Sequence, residues 1–338
     1  MKASFLIRFL LVCFLFALVP AQAKQVKWKI KEYRGNKYVP LSQVKEHYDL
    51  TSMTQRGSEI ILKNNELTMK FRAGGQEVLM NDVKFIFSFN IVALGTYHMS
   101  VTDLLKVIDP VLRPNKIQGA RPFSTVIIDP GHGGKDAGAV NSLGTEAGYN
   151  LIVARHLRDN LIKRGFKVVM TRDSDVYLSL KERVNLANRY DNAVFISIHF
   201  NAAGGSGRSA RGIETFTLSP VGVAHYGKNL KSSDLIPKTG NAHDSANIAL
   251  ATSVHWTSLQ YLNRRLNLGI PDRGVRRARY SVLTGVKHPA ILFEGGFLSH
   301  HKEKHLINTK SYQTTLAKAM SDAIFFYRVA TTTGDKKR

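Results

Sequence analysis

The 338-residue chain holds one cysteine, Cys13, and two tryptophans. A single cysteine cannot close an internal disulfide, so no covalent staple is available to this fold. Cys13 also lies inside an N-terminal stretch that reads as an export signal over residues 1–23. Lys2 and Arg8 give its positive start, Phe9 to Val19 its apolar run, and Ala21-Gln22-Ala23 a small-x-small cleavage site. No lipid anchor is expected on Cys13, because Val12 stands where a small residue is required. The apolar run is too short to span a bilayer comfortably, so no transmembrane anchor is expected after cleavage. Removing the signal leaves a cysteine-free protein, which suits an oxidising compartment: a periplasm or an extracellular cell envelope.

Acidic residues are also scarce, 25 against 48 Lys and Arg, a formal net charge of +23. Without Lys2 and Arg8 the balance is 46 to 25, or +21, more than solubility needs. Such a charge attracts polyanions. For an exported chain the partners implied are anionic envelope polymers or lipid headgroups rather than nucleic acid. Two compact motifs are missing as well. No HExxH is present, and "GHGGKDAGA" lacks the spacing and the Ser or Thr of a phosphate-binding loop, with Asp136 following Lys135 instead.

The residues beyond the signal suffice for two domains. Residues 24–118 carry short β-branched and aromatic runs, "VKWKI", "EIILKN", "LTMKFR" and "FIFSFNIVAL", and predict a small β-rich α+β module. Two segments within it echo each other, Tyr38 to Val44 and His98 to Leu104, each an extended piece reaching a Ser or Thr suited to cap a helix. This duplicated "YVPL" pattern is similar to the copper-amine-oxidase N-terminal-like module, although no metal-ligand constellation accompanies it. Residues 109–123, with three prolines and a glycine, read as a linker. Residues 329–338 read as a flexible tail.

From residue 124 to 328 the texture alternates between apolar strands and helices. Strands are expected at Thr125 to Ile128, "FKVVMTR", "AVFISIH", "GIETFTL", "YSVL" and "PAILFEGG". Helices are expected over 146–164, with Tyr149, Ile152, Val153, Leu157 and Leu161 inward, and from a capping box at Ser179 to Glu182 as far as Tyr190. Two more are expected over 244–267 and 311–328. The alternation predicts a three-layer α/β sandwich around a mostly parallel central sheet.

In such sheets ligands sit beyond the carboxyl ends of strands. His132 follows the first strand, Glu146 opens the first helix, His199 ends the third strand, and Glu294 ends "PAILFE". Two imidazoles and one carboxylate are what a catalytic zinc takes from a protein, leaving one position for water, and a further carboxylate can act as general base. Each position alone also fits a plainer role. His132 among four glycines fits a turn, His199 a core edge, Glu146 a favourable charge at a helix start, and Glu294 an arginine partner.

The motifs "VIIDPGHGGKDAGA", "GTEAGYNL", "SIHFNA", "RGIETF", "DRGVRRARYSVL" and "EGGFLS" occur in one order. In that order the region 124–328 closely resembles the zinc-dependent N-acetylmuramoyl-L-alanine amidases. The resemblance implies Zn2+ held by His132, Glu146 and His199, with Glu294 as catalytic acid/base. It implies a peptidoglycan or muropeptide substrate, cleaved between N-acetylmuramic acid and L-alanine. His300, where Asn is common, and Phe200, where Ala is usual, depart from the pattern. Asn201, Arg276, Arg277 and Arg279 are candidates for holding the stem peptide. Residues 219–245 show no amphipathic stripe of the kind an inhibitory helix would need, so an open groove is expected, with His225 and His243 at the surface. Whether a protein activator is needed stays open. The rival reading is a non-catalytic peptidoglycan-binding protein on the same fold.

Overall fold

A computed structural model describes residues 23–117, 122–205 and 209–332; the expected signal, apart from Ala23, lies outside them. The chain divides into two compact units, Met1–Gln118 with Ala330–Arg338, and Gly119–Val329.

In the first unit, β1 (Lys31–Tyr33) and β2 (Asn36–Pro40) lead into helix α1 (Leu41–His47). An antiparallel meander follows: β3 (Ser52–Arg56), β4 (Glu59–Lys63), β5 (Thr68–Arg72), β6 (Glu77–Met80) and β7 (Val83–Ile86). Alternate residues supply its buried face, among them Ile60, Leu62, Met69, Phe71, Val78 and Phe85, as a one-sided sheet requires. β8 (Val92–Ala93) and β9 (Tyr97–Ser100) complete a separate small sheet with β1 and β2. The two echoing segments pair with each other, Tyr38 against Ser100 and Pro40 against His98, and each runs straight into a helix. Ser100 accepts a capping bond from Asp103 N at 2.9 Å, whereas α1 starts on Pro40 without a side-chain cap. The stretch expected as a linker is folded where it is described. Residues 109–112 are helical, with Pro110, Val111 and Leu112 buried, because these apolar side chains have a core to enter.

The second unit begins with β10 (Thr125–Pro130), every residue of it buried, and the short ribbon β11 (Val140–Asn141) and β12 (Gly144–Thr145). Then come α2 (Glu146–Ile162), β13 (Lys167–Met170), α3 (Leu180–Ala187), β14 (Ala193–Asn201), β15 (Ile213–Leu218) and α4 (Asp244–Gln260). The series ends with β16 (Asp272–Ala278), α5 (Ser281–Gly285), β17 (Ala290–Phe297), α6 (Glu303–Ile307) and α7 (Lys310–Thr332). Within this unit the strand order is β13-β10-β14-β17-β15-β16. Four of the five neighbouring pairs are parallel and β15–β17 is antiparallel. The result is a mixed α/β sheet whose last two strands run against the other four.

Several local expectations change. "YSVL" forms α5 rather than a strand, burying Val282 and Leu283. Residues 272–278 form a strand with five of seven residues buried, despite three arginines. Ile152 of α2 is 39% exposed while Tyr149, Val153, Leu157 and Leu161 are buried. The α-helix from Asp244 ends at Gln260 and continues as a wider π turn to Arg265. α7 runs on to Thr332, so residues 329–332 are helical rather than tail, and 333–338 lie outside the described residues. The capping box of α3 is present as expected, with Ser179 N donating to Glu182 Oε2 at 2.7 Å.

Candidate metal centre

β10 ends by placing His132 in a left-handed backbone conformation, φ 60°, which costs a non-glycine residue on the order of 1 kcal/mol. The glycines around it make room for its neighbours. A Cβ on Gly131 would fall 2.1 Å from the His199 ring, and one on Gly138 would fall 2.7 Å from Glu146 Oε2 and from His132 Cδ2. The loop is thus bare where the other ligands must approach. Glu146 sits in the first turn of α2, whose N-cap Thr145 accepts from Gly148 N at 3.1 Å, so its charge meets the positive end of the helix. β14 brings His199, and β17 places Glu294 directly beside it in register.

The three expected ligands converge. Glu146 Oε1 lies 3.1 Å from His132 Nε2 and 2.9 Å from His199 Nδ1, and one ligand atom from each residue falls within 4.8 Å of the others. Burial alone would raise the Glu146 pKa, but hydrogen bonds from His132 and His199 outweigh it and hold the carboxylate well below its ordinary range. The opposite holds for Glu294, which burial and the charges of Glu146 and Glu214 push well above the carboxylate range. Its Oε2 is buried without any hydrogen-bond partner. A buried polar atom left alone costs free energy, and here it lies on the strand beside His199. The donor set and this orphaned oxygen fit a zinc ion with an adjacent water. A cavity of about 670 Å3 joins the groups, lined by His132, Glu146, His199 and Glu294 among others.

The profile of the Amidase_3 family, N-acetylmuramoyl-L-alanine amidase, matches residues 126–325. The chain belongs to this family. AmiC of Escherichia coli O6:H1, an N-acetylmuramoyl-L-alanine amidase, is 32% identical over 245 residues, covering 67% of this chain and 58% of AmiC. The chain thus spans little more than half of that relative. A solved N-acetylmuramoyl-L-alanine amidase from Clostridium difficile 630 is 33% identical, covering 61% of this chain and 97% of that one, with a TM-score of 0.50. AmiC2 of Nostoc punctiforme is 29% identical, covering 62% and 98%, with a TM-score of 0.50.

The amidase unit contains supporting residues that sequence reasoning missed. Asp136 Oδ2 lies 2.8 Å from His132 Nδ1, which fixes the ring and leaves Nε2 facing Glu146. Arg172 donates to Pro130 O, Gly131 O and Ala147 O, and Arg183 to Pro130 O, His132 O and Asp129 Oδ1. Both guanidiniums are buried, and together they clamp the carbonyls of the ligand loop. Asp129 accepts also from Thr171 Oγ1 and Ser197 Oγ. Glu214 pairs in register with Glu294 across β15 and β17, accepting from Asn201 Nδ2 at 2.6 Å and Arg273 Nε at 3.2 Å. The only sequence signals were a carboxylate four residues after His132 and the arginine one turn beyond the Ser179 cap.

The substrate candidates separate. Asn201 and Arg279 line the cavity. Arg276 instead sits 3.3 Å from Glu214 and over the Tyr226 ring. Arg277, buried at 4% exposure, donates to Thr217 Oγ1 and Leu218 O. Arg279 uses Nε and Nη2 on Asp234 and on the carbonyls of Pro220 and Val223, while its Nη1 is buried without a hydrogen-bond partner. That bonding anchors the 219–245 region, which holds 3-10 turns with no α-helix before Asp244, and lines no part of the cavity. His225 and His243 are half-buried rather than free at the surface, bonded to Arg279 N and Lys287 O. His300 is buried and accepts from Glu303 N at 3.2 Å, opening α6. Phe200 is fully buried against Tyr149, in space left by Gly295.

Proposed function

We propose that this family member is an exported, zinc-dependent hydrolase of the amide joining N-acetylmuramic acid to L-alanine in peptidoglycan. The convergence of His132, Glu146 and His199 beside a Glu294 whose buried oxygen lacks a partner carries this reading. Zinc held by those three residues would polarise the scissile carbonyl, lower the pKa of water to about 7, and supply the charge that lets Glu294 ionise. Glu294 takes the proton of the attacking water and returns it to the departing alanine nitrogen. Asp136 keeps the His132 ring turned toward the site. Asn201 and Arg279 shape the adjoining cavity, with Asn201 the candidate for substrate contact.

The same reading takes residues 1–23 as a cleaved signal and 24–118 as an accessory module resembling the copper-amine-oxidase N-terminal-like type. Residues 124–328 are then the catalytic domain, a three-layer sandwich. The basic surface is assigned to anionic envelope polymers.

Release of free stem peptide from purified walls, with and without a chelator, tests the function. Chelator-sensitive release, restored by zinc, is expected from protein that carries about one zinc per chain. Glu294→Gln is expected to keep the zinc and lose hydrolysis. Release that ignores the chelator, or hydrolysis by Glu294→Gln, would overturn the mechanism. No release from any wall preparation, with retained wall binding, would favour a binding protein.

A further inference from the structure

One stretch of the cavity lining takes no part in the metal chemistry. Val176, Tyr177 and Leu180 are 46%, 44% and 55% exposed, and Tyr177 and Leu180 line the same cavity as His132 and Glu294. Single exposed apolar side chains are ordinary, but three within five residues on the rim of a polar site mark a contact surface.

The surface is firmly seated. Gly134 N donates to Asp175 Oδ1 at 2.8 Å, and Arg172 Nη1 donates to Ser174 O at 3.1 Å. A Cβ on Gly133 would fall 2.3 Å from Val176 O, and one on Gly134 would fall 2.7 Å from Tyr177 N. The two backbones therefore touch, and Tyr177 keeps a set position relative to the His132 loop. The exposed Lys135 brings its ammonium 4.5 Å from the centre of the Tyr177 ring. A part-exposed aromatic ring with an ammonium over one face, on a preset backbone, suits a sugar. Pyranose C–H groups pack on the ring, and hydroxyl or acetamido oxygens accept from the ammonium.

We propose that Tyr177, with Lys135, forms a saccharide subsite that seats a pyranose of the glycan strand beside the metal centre. The proposal rests on the amidase reading, since it takes the glycan as the part of the substrate that reaches this rim.

The test is calorimetric titration of the zinc-loaded Glu294→Gln protein with glycan strands stripped of their peptides. Adding Y177A is expected to weaken binding about five- to tenfold. Y177F and Y177W should bind like the parent, and Y177L like Y177A, because the ring and not its apolarity is required. In otherwise wild-type protein Y177A should raise KM for glycan-linked muropeptides more than it lowers kcat. Strand binding that is absent, unchanged by Y177A, or rescued by Y177L would overturn the subsite. So would a Y177A defect seen only with peptide-bearing ligands, which would assign the rim to the stem peptide. Tyr177-dependent strand binding by a protein that never hydrolyses walls would instead overturn the catalytic reading alone.

Discussion

At the residue scale the site is governed by what is withheld as much as by what is supplied. Gly131 does not need its glycine for an unusual φ; it needs it because the His199 ring occupies the space of a side chain. Gly131→Ala should therefore force the ring aside, costing about 1–3 kcal/mol of stability and weakening zinc binding in a competition titration with a chelating dye. Glu294 makes a prediction of opposite sign. Its folded-state pKa is raised by burial and by Glu146 and Glu214, so in metal-free protein it gives up its proton at higher pH than the unfolded chain does. Deprotonation then favours the unfolded state, and stability falls as pH rises above the ordinary carboxylate pKa of 4.5. Metal-free Glu294→Gln should melt higher than metal-free wild type at pH 7, and the difference should vanish near about pH 4. Equal melting curves at both pH values would show that the folded-state pKa is not raised.

At the scale of elements, the ligand loop depends on two guanidiniums presented by β13's exit and by α3. Arg183 is 3% exposed and forms an ion pair with Asp129 at 2.8 Å. Breaking such a pair strands the buried partner charge, so Arg183→Ala should cost about 3–5 kcal/mol by denaturant titration. Ser179→Ala, which removes only the cap of the same helix, should cost about 1 kcal/mol. The contrast explains what could be read beforehand. His132, Glu146, His199 and Glu294 were legible because each stands at a strand end or helix start, and because their motifs fall in a family order. The capping box was legible because its partners are three residues apart. Arg183 and Glu214 were not, since their roles arise from contacts 54 and 59 residues away, with Asp129 and Arg273. β16 escaped notice because buried arginines look like solvated ones in sequence. The reversal of β15 and β16 was equally invisible, and it sets Glu214 at the start of its strand beside Glu294 near the end of another.

Across the whole molecule the dominant quantity is charge, 48 basic against 25 acidic side chains. The attraction to an anionic wall proposed for such a surface would be screened by salt, with a Debye length of about 10 Å at 0.1 M. Sedimentation with purified walls should therefore decline steeply between about 50 and 500 mM salt, while cleavage of a small soluble muropeptide changes little. Parallel loss of both would place the salt-sensitive contacts at the site itself. One more property follows from where the ligands stand. Residues 132, 146 and 199 become neighbours only once β10 and β14 have paired in register and α2 has docked on them. An unfolded chain presents three isolated side chains with no chelating geometry. On the proposed reading of an exported zinc enzyme, the site cannot be preassembled before export, and the compartment in which the chain folds would also supply the metal.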